Sequence, residues 1–417
     1  MSKKTATIII VILVLLLAGG LLAFYFYSNQ GQGNNIAGTT PRGNIFPTTS
    51  GSGGTQNPTT TTSGTSGQPT TSGTQAAPVL KELSIRPSAG AVAIATTSTP
   101  SVLVHFIERG TGNVYGVSPQ SDTETRLSDT TIPKIEEALW DKTGTKVIAR
   151  YAGDDGDSIK TYSASLTSQS TSTNQTIGSL QGSFLTDNIS AIVANPDQNS
   201  LFYLLPNSAG STGIISGFDG SKKNQVFDSL LKDFLVDWPT PTLVALTTKP
   251  SAGVPGLLFL LNTKTGGLIQ AIAGVNGLTA SVNPTGSLAL YGESVAQGIA
   301  LKIYSFKDGS TEETSVSTLP EKCVWSKIDP TILYCSVPSY LPAANYPDDW
   351  YKGTVSFSDD IWKIDSATGA GQILVTLKNY AKQDIDGTNL FLSPKEDYLF
   401  FTNKNDFHLW SLRLLSK

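Results

Sequence analysis

The sequence of 417 residues repeats one short pattern six times, and this repetition strongly limits the folds open to it. Each copy is a turn built on Pro, Asp or Gly followed by a short apolar strand, and the copies recur about every 45 to 65 residues. The copies begin at Trp140, Asn195, Trp238, Asn283, Trp325 and Ser393. Because such a unit cannot cover its own apolar faces, the repetition predicts units stacked on one another.

A second strand with aromatic or aliphatic residues follows each copy, and the pattern then ends in a polar turn. These strands lie near Asn113, Lys160, Gly213, Leu257, Leu301, Asp360 and His408. The first of them has its own partner at Val102, so seven strand pairs can be counted. Short alternating runs bounded by Gly, Pro, Asn and Asp are typical of β-structure, and no long segment has a helical period. The sequence predicts an all-β, seven-bladed β-propeller, with six or eight blades as the alternatives.

The two ends of the repeated region predict how the ring closes. The segment VLKELSI (79–85) is a strand without a partner before the first repeat, and the chain stops after HLWSLRLL, which leaves the last repeat without an outer strand. We expect the two to pair, since this removes an exposed sheet edge. The folded domain would then span residues 79–417.

The repeat motifs resemble a known family. The turns WDKTGTK, ANPDQNS, VNPTGS and LSPKED resemble the "SPDGK" turns of TolB-type propellers, and the strand IWKIDSATG is similar to their "IYxxDxxTG" strands. The propeller of dipeptidyl peptidase IV-like proteins has similar repeats. The resemblance covers residues 79–417 and implies a propeller fold, but such degenerate motifs specify no activity. The sequence shows neither the α/β domain that precedes the propeller in TolB nor the hydrolase domain of the peptidases.

The N-terminal region has the composition of a membrane anchor followed by a tether. Residues 7–27 form an uncharged apolar run behind Lys3 and Lys4, about long enough to cross a bilayer. The positive-inside rule places the tail 1–6 in the cytoplasm and the remaining chain outside it. This predicts a single-pass plasma-membrane protein; a cleaved signal peptide is the alternative. Residues 28–78 are nearly all Gly, Ser, Thr, Asn, Gln and Pro, which predicts a disordered linker.

The formal net charge of the chain is −4, and residues 1–78 contain Lys3, Lys4 and Arg42 but no acid. The predicted propeller is therefore more acidic than the chain as a whole. This argues against nucleic acid, and against an anionic membrane surface, as a partner of the folded domain.

The two cysteines, Cys323 and Cys335, lie in the segments CVWS and ILYC. If these are antiparallel strands joined by the turn 327–330, the two thiols would face each other, and a structural disulfide suits an exported chain. Two free buried thiols and a redox function are the alternatives. Two cysteines without a nearby histidine cannot complete a zinc site.

Few residues are candidates for catalysis. His105 and His408 are the only histidines, and both lie inside predicted strands. The segment Gly292-Glu-Ser-Val-Ala296 fails the G-x-S-x-G pattern at its last position. Carboxylate pairs occur at Asp348-Asp349 and Asp359-Asp360, but adjacency in sequence does not give the geometry of a glycosidase. The sequence therefore predicts no enzymatic activity and no cofactor.

A metal site has one weak candidate. The loop containing Asp154, Asp155 and Asp157 concentrates oxygen ligands of the kind that calcium takes, but its spacing does not match an EF-hand. A solvated hairpin loop without metal is the simpler interpretation.

The most unusual segment is Val337–Asp359, which interrupts a hairpin that is short in most other repeats. Aromatic residues flanked by polar groups are typical of binding hot spots and sugar-stacking surfaces, and long loops on rigid scaffolds often carry function. The alternative is that these aromatics plug the mouth of the ring. The candidate binding residues are Tyr340, Tyr346, Asp348, Asp349, Trp350 and Tyr351.

Together these features predict a non-enzymatic binding or scaffolding module outside the membrane, held by the N-terminal helix, with a protein or glycan partner in the cell envelope. One alternative is an envelope enzyme that acts on glycan or peptide with carboxylates at the channel mouth. Another is a structural surface spacer.

Overall fold

The computed structural model describes residues 80–167, 177–296 and 298–414. The predicted cytoplasmic tail, membrane helix and linker lie outside these residues. None of the helices within them has both the length and the apolar character needed to span a membrane.

The described chain consists almost entirely of short strands. They are β1 (Leu80–Ser84), β2 (Ser88–Ala95), β3 (Val102–Glu108), β4 (Val114–Val117), β5 (Thr125–Arg126), β6 (Ile135–Trp140), β7 (Lys146–Ala152), β8 (Ile159–Thr167), β9 (Ser179–Phe184), β10 (Ala191–Ala194), β11 (Ser200–Pro206), β12 (Ser211–Gly217), β13 (Asn224–Ser229), β14 (Phe234–Thr240), β15 (Leu243–Thr248), β16 (Pro255–Asn262), β17 (Leu268–Asn276), β18 (Thr279–Val282), β19 (Leu288–Val295), β20 (Gly298–Ser305), β21 (Thr311–Glu313), β22 (Cys323–Trp325), β23 (Ile332–Pro338), β24 (Asp359–Asp365), β25 (Gly371–Thr376), β26 (Gly387–Leu392), β27 (Tyr398–Asn403) and β28 (Leu409–Arg413). The helical segments are a 3-10 turn (Pro320–Lys322), α1 (Asp348–Tyr351) and α2 (Leu377–Ala381).

The strands form seven four-stranded antiparallel sheets, which confirms the predicted all-β, seven-bladed propeller. Blades 1 to 6 each use four consecutive strands, from β2–β5 in blade 1 to β22–β25 in blade 6. Blade 7 combines β26, β27 and β28 with β1, and Leu80 lies opposite Leu412 in that pairing. The first and last strands of the domain therefore share one sheet, which closes the ring.

The connections divide the ring into two faces. The first strand of a blade contacts the first strand of a neighbouring blade, as β2 does with β6 and with β26, so the first strands surround the central channel. The loop face is the end of the ring that carries two kinds of connection: those between successive blades, and those between the second and third strands of a blade. The opposite end is the turn face.

The core lies between the blades. Among the described residues, one buried apolar cluster occupies each of the seven blade interfaces. Between blades 1 and 2, the Trp140 indole donates a hydrogen bond of 3.1 Å to the Gly90 carbonyl. Gly90 allows this close approach, since a Cβ there would lie 2.1 Å from the Ala138 carbonyl oxygen. The Trp and turn residues of the repeat thus belong to the blade interfaces.

Blade 6 contains the disulfide. Cys323 on β22 and Cys335 on β23 are directly opposite in the antiparallel register, and their sulfurs are bonded. The bond joins the innermost strand of this blade to the next one.

Candidate functional site

The segment between β23 and β24, residues 339–358, forms a cap at the loop face. Its base is a buried apolar cluster in which Tyr346, Trp350 and Phe357 pack against Ile299 of blade 5 and Leu319. The Trp350 and Phe357 rings are nearly parallel, with centroids 6.3 Å apart. The cap therefore has a core of its own. Burial of these side chains offsets the conformational entropy that a loop of this length loses when it becomes ordered.

Tyr346 lies at the centre of this core. Its hydroxyl donates a hydrogen bond of 2.7 Å to the Pro342 carbonyl, which satisfies the one polar group of the buried side chain. Burial raises the pKa of Tyr346 to about 12. The phenol therefore stays neutral under ordinary conditions and acts as part of the packing.

A fully buried lysine lies beneath the cap. The Lys322 Nζ donates to the Asp359 carboxylate at 2.8 Å, to the Asp386 carboxylate and to the Gly387 carbonyl at 3.0 Å. It also lies over the Trp350 and Phe357 rings, 5.4 and 5.1 Å from their centroids. Such a charge is tolerated in the interior only because all its donors have partners and the rings add cation–π attraction.

Asp386 connects this lysine to the cap. Besides Lys322, its carboxylate accepts hydrogen bonds from the Trp350 indole at 2.9 Å and from the Phe357 backbone amide at 3.2 Å. Its own backbone amide donates to the Asn403 side chain at 3.0 Å. Asp386 therefore ties the cap to blade 7 through bonds that are all buried.

Asp359 completes the buried group at the start of β24. Its carboxylate accepts from Lys322 and, at 2.7 Å, from the Gly387 amide. Burial, with the charge of Asp386, raises the pKa of Asp359 to about 6 despite the opposing effect of Lys322. Two carboxylates and one ammonium thus share a buried site.

The other side of the cap is fastened to blades 4 and 7. The Asp348 carboxylate accepts from the Ser251 hydroxyl at 3.0 Å and from the Ala252 amide at 2.6 Å, in the loop between β15 and β16. Lys404, between β27 and β28, donates to the Trp350 carbonyl at 2.7 Å. The cap therefore contacts blades on both sides of its own blade.

A tyrosine–carboxylate pair lies at the edge of the cap. The Tyr351 hydroxyl donates a hydrogen bond to the Glu321 carboxylate, which precedes Lys322 in the 3-10 turn. Burial raises the pKa of Glu321, while Tyr351, the nearby Thr279 hydroxyl and Lys322 oppose this rise. Burial, and then the charge of Glu321, raises the pKa of Tyr351. The Tyr351 side chain is nevertheless 42% exposed, whereas the Oε2 atom of Glu321 is buried, so the pair joins the surface of the cap to its interior.

The structure separates the candidate binding residues into two groups. Tyr346 and Trp350 are buried in the core of the cap. Asp348 accepts from the Ala252 amide of blade 4, and Asp349 accepts from the Asn345 amide of the cap at 2.8 Å. Tyr340, at 76% exposure, and Tyr351 present their rings to solvent. These two tyrosines are the members of the set that a ligand can reach directly.

The acidic loop between β7 and β8 is bound to itself. The Asp155 carboxylate accepts from the amide and hydroxyl of Ser158, at 2.9 and 2.8 Å, and these bonds lower the pKa of Asp155. Within residues 80–167, 177–296 and 298–414, no group of three or more His, Cys, Asp and Glu side chains is arranged to hold a metal ion.

Both histidines have partners on their own blades or on a neighbour. The His105 Nδ1 lies 2.9 Å from the Gly144 carbonyl oxygen, and burial lowers the pKa of His105. The His408 Nδ1 lies 2.7 Å from the Glu82 carboxylate, between β28 and β1. Neither of these two partners belongs to the cap.

Sequence reasoning missed Glu321, Lys322 and Asp386. Their position gave no distinguishing signal: Lys322 and Asp386 each stand immediately before the first strand of a blade, but the exposed residues Lys134 and Asp233 hold the same position in blades 2 and 4.

No family model matches the chain, and no curated protein matches it. Among solved structures, an oligogalacturonate lyase in complex with manganese matches with 10% identity and a TM-score of 0.49, over 79% of this chain and 90% of that one. An oligogalacturonate lyase from Vibrio parahaemolyticus matches with 9% identity and a TM-score of 0.44, over 81% and 98%. A puromycin hydrolase variant matches with 11% identity and a TM-score of 0.45, over 76% of this chain and 50% of that one.

These neighbours contradict the predicted non-enzymatic binding or scaffolding module, and with it the prediction that the protein is not an enzyme, because all three are described as enzymes. The physical reason is that propeller repeats specify a scaffold and leave the chemistry to its loops. At identities this low, the likeness concerns the fold alone and the substrates of the neighbours do not transfer. The absence of a matching family also leaves the TolB-type resemblance as one of repeat and fold.

Proposed function

We propose that the protein is an enzyme that cleaves glycans outside the cytoplasm, with Tyr351 as nucleophile and Glu321 as its base. The observation that carries this proposal is the hydrogen bond from the Tyr351 hydroxyl to the Glu321 carboxylate at the exposed edge of the cap. A nucleophile within hydrogen-bonding distance of a base is the signature of covalent catalysis, and tyrosine is one of the side chains that serve as the nucleophile.

The acidity of the two groups fits these roles. Burial raises the pKa of Glu321, which makes its carboxylate a stronger base than an exposed glutamate near neutral pH. The raised pKa of Tyr351 keeps the phenol protonated until Glu321 takes the proton. Proton transfer and attack are therefore coupled.

The charge around the pair favours glycosyl transfer over acyl transfer. Asp348 is close enough to Tyr351 to raise its pKa, and the charge of Lys322 is already balanced by Asp359 and Asp386. The surroundings are thus acidic, which stabilises positive charge. Glycoside cleavage passes through a transition state of oxocarbenium character, whereas peptide cleavage needs donors for a developing oxyanion.

The covalent step balances as follows. The Tyr351 oxygen forms a bond to the anomeric carbon while the bond from that carbon to the leaving oxygen breaks. The Tyr351 proton passes to Glu321, which releases it to solvent, while the leaving oxygen takes a proton from solvent. The free Glu321 carboxylate then deprotonates a water molecule that displaces Tyr351, and the departing Tyr351 oxygen takes that proton from Glu321, so that the overall reaction is hydrolysis. Tyrosine nucleophiles are known among glycosidases, although a carboxylate is the commoner choice.

The exposed rings of Tyr340 and Tyr351 support a carbohydrate substrate. Amphipathic aromatic side chains at a protein surface bind ligands that have both an apolar face and polar edges, as sugar rings do.

We further propose that residues 7–27 anchor the protein in the plasma membrane, with the propeller on the extracytoplasmic side. The uncharged apolar run behind Lys3 and Lys4 supports this arrangement. The Cys323–Cys335 disulfide supports it independently, since such bonds persist in oxidising compartments. Protease added to intact cells should degrade the propeller and leave a membrane-bound N-terminal fragment.

The activity is tested with full-length protein in detergent, incubated with purified envelope polysaccharides. New reducing ends should appear with the wild type, and Tyr351→Phe and Glu321→Gln should each lower the rate at least a hundredfold, given the typical contribution of a nucleophile or base. Tyr380→Phe is the matched control, because Tyr380 is 60% exposed and lies in α2, outside residues 339–358.

Full activity of Tyr351→Phe would overturn the assignment of the nucleophile. An equal loss of rate in Tyr380→Phe and Tyr351→Phe would mean that the lower rate does not arise from the Tyr351–Glu321 pair. Substrate turnover that survives in both Tyr351→Phe and Glu321→Gln would place the reaction elsewhere on the propeller.

A further inference from the structure

A cavity of about 430 Å³ opens at the turn face of the ring. Its lining comes from blades 1, 2, 3, 6 and 7, and consists of first strands and of the turns that follow them. Since blades 3 and 6 are not neighbours, only the central channel can bring their turns to one cavity. The cavity is therefore the mouth of the channel at the end of the ring opposite the loop face.

Two lysines reach this mouth from equivalent positions. Lys142 and Lys327 each lie two residues after a tryptophan that ends a first strand, Trp140 in blade 2 and Trp325 in blade 6. Blades 2 and 6 are three steps apart through blades 1 and 7, which is the largest separation in a ring of seven. The two lysines therefore line the cavity from nearly opposite sides.

Neither ammonium group is neutralised by an ion pair. Both lysines are exposed, and neither forms a salt bridge within the part of the chain that the structure describes. Among the described residues that line the cavity, Glu396 is the one acid. Its carboxylate accepts from the Ser326 hydroxyl at 2.5 Å, and from the backbone amides of Lys327 and Ile328 at 2.6 and 3.1 Å. Both oxygens of this acid are thus held by the turn of blade 6.

Other acids of these turns do not line the cavity. Asp141 is buried, and its carboxylate accepts from the Thr145 and Lys146 amides at 2.8 and 2.7 Å within its own turn. Asp197 and Asp329 lie in turns of the mouth but outside the lining. The lining therefore carries two cations against one hydrogen-bonded carboxylate, and a concave surface with this excess attracts anions.

The rest of the lining is largely apolar. It includes Ala91 and Ala93 of β2, Val324 and Trp325 of β22, and Phe391 of β26. The volume of the cavity lies in the range of about 300 to 1,000 Å³ that is typical of small-molecule sites, which combine apolar walls with a few polar groups. A ligand that fits this lining has an apolar body and one negatively charged group.

We propose that the channel mouth binds a small organic anion with an apolar body, whose charged group lies between Lys142 and Lys327. A bare anion would leave the apolar side chains in contact with water, and an apolar cation would be repelled by the two ammonium groups. The inference does not depend on the proposed glycan cleavage, because Tyr351 and Glu321 do not line this cavity.

Binding is tested by isothermal titration calorimetry with the full-length protein in detergent. The probe is 1-naphthoate, while acetate lacks its apolar body and 1-naphthylmethylammonium carries the opposite charge. The variants are Lys142→Gln, Lys327→Gln and the double variant. Lys395→Gln is the control, because Lys395 is exposed in the turn between β26 and β27 but does not line the cavity. Uptake of the probe by detergent micelles is common to all these proteins.

The proposal predicts that one 1-naphthoate binds per chain. Each single substitution should weaken binding about threefold and the double variant about tenfold, as expected for two partly exposed ion pairs. Lys395→Gln should bind like the wild type, and acetate and 1-naphthylmethylammonium should bind at least roughly tenfold more weakly than 1-naphthoate. Equal affinity of the wild type and the double variant would overturn the proposal. So would tighter binding of the ammonium compound, or no binding of 1-naphthoate by the wild type.

Discussion

The blade interfaces and the cap are held together in opposite ways. Each interface is an apolar cluster, as between blades 3 and 4, where Phe202, Leu246 and Trp238 pack together. The cap is fastened by Lys322, Asp359 and Asp386, which are charged and almost fully buried. Apolar contact tolerates substitution of similar volume, whereas a buried ionic group requires specific partners in one geometry.

The difference shows what each region does. The seven apolar interfaces determine the ring but do not indicate which reaction the protein could catalyse. The buried ionic group beneath one loop holds that loop in a single position, as the proposed catalytic pair of Tyr351 and Glu321 requires. Breaking each region separately should therefore give different outcomes.

The largest effect is expected for Lys322→Met. Removal of the ammonium leaves Asp359 and Asp386 buried without a cation, and this should lower the free energy of unfolding by about 3 to 5 kcal/mol. Chemical denaturation followed by tryptophan fluorescence measures the change. Lys352→Met, on the exposed surface of the cap, should change it by less than about 0.5 kcal/mol. Similar losses in the two variants would show that the buried charge does not fasten the cap.

Leu246→Ala tests an apolar interface. Leu246 is fully buried between blades 3 and 4, and the cavity left by the substitution should cost about 2 to 5 kcal/mol. Leu230→Ala, at an exposed position, serves as the control. Because Leu246 packs between blades 3 and 4 and is not part of the cap cluster, the folded variant should keep the proposed Tyr351 chemistry. Loss of activity at temperatures where the variant is folded would argue that the cap depends on the whole ring.

The pH dependence of stability distinguishes the cap further. The pKa of Asp359 is raised to about 6 in the folded protein, above its value in the unfolded chain. Protonated Asp359 therefore stabilises the folded state fully at low pH, and this stabilisation is lost as the pH rises from about 4 to about 6. Over that range the free energy of unfolding changes by at most about 1.4 kcal/mol per pH unit. Asp359→Asn should remove that slope.

Asp237 on β14 provides the comparison, since burial raises its pKa to about 6 as well and adds a slope of the same sign. Asp237→Asn should remove its own share and leave that of Asp359. Unfolding free energies measured across this pH range in the two variants separate the contributions, and an unchanged slope in Asp359→Asn would contradict the account of the buried group.

The smallest effect is expected for Ser251→Ala. This removes one hydrogen bond to Asp348 at a partly exposed site, worth about 1 kcal/mol or less. Hydrogen exchange should become faster at α1 and in the loop between β15 and β16, while the blade strands stay unchanged. Faster exchange throughout the ring would mean that cap and blades unfold as one unit.

The sequence predicts the ring much better than the cap. Strand alternation and turn residues are local features of the sequence. The same turn pattern occurs in several repeats, for example at Asn283-Pro-Thr-Gly286, so each copy supports the prediction from the others. The ionic group under the cap occurs in only one blade. Lys322 is 37 positions from Asp359 and 64 positions from Asp386, and no sequence period connects the three residues. Lys322 beside a strand resembles any solvent-exposed lysine until the ring is assembled.

The candidate site can be predicted from the sequence less well than the ring but better than the ionic group under the cap. Tyr351 stands out in the sequence because its segment is aromatic and long, but its partner Glu321 lies thirty residues earlier in a turn without a motif. The exposed fraction of each aromatic depends on how the cap folds. Tyr346 and Trp350 are equally conspicuous in sequence, yet they form its core.

The most direct test of the account is to trap the intermediate. The full-length protein is incubated with glycosyl fluorides that carry a second fluorine on the sugar ring, which form the covalent intermediate faster than it is hydrolysed. Intact mass and peptide mapping then locate the adduct. The account predicts one sugar on Tyr351 in the wild type and none in Tyr351→Phe or Glu321→Gln. A sugar attached to an Asp or Glu, or turnover of these reagents by Tyr351→Phe, would contradict it.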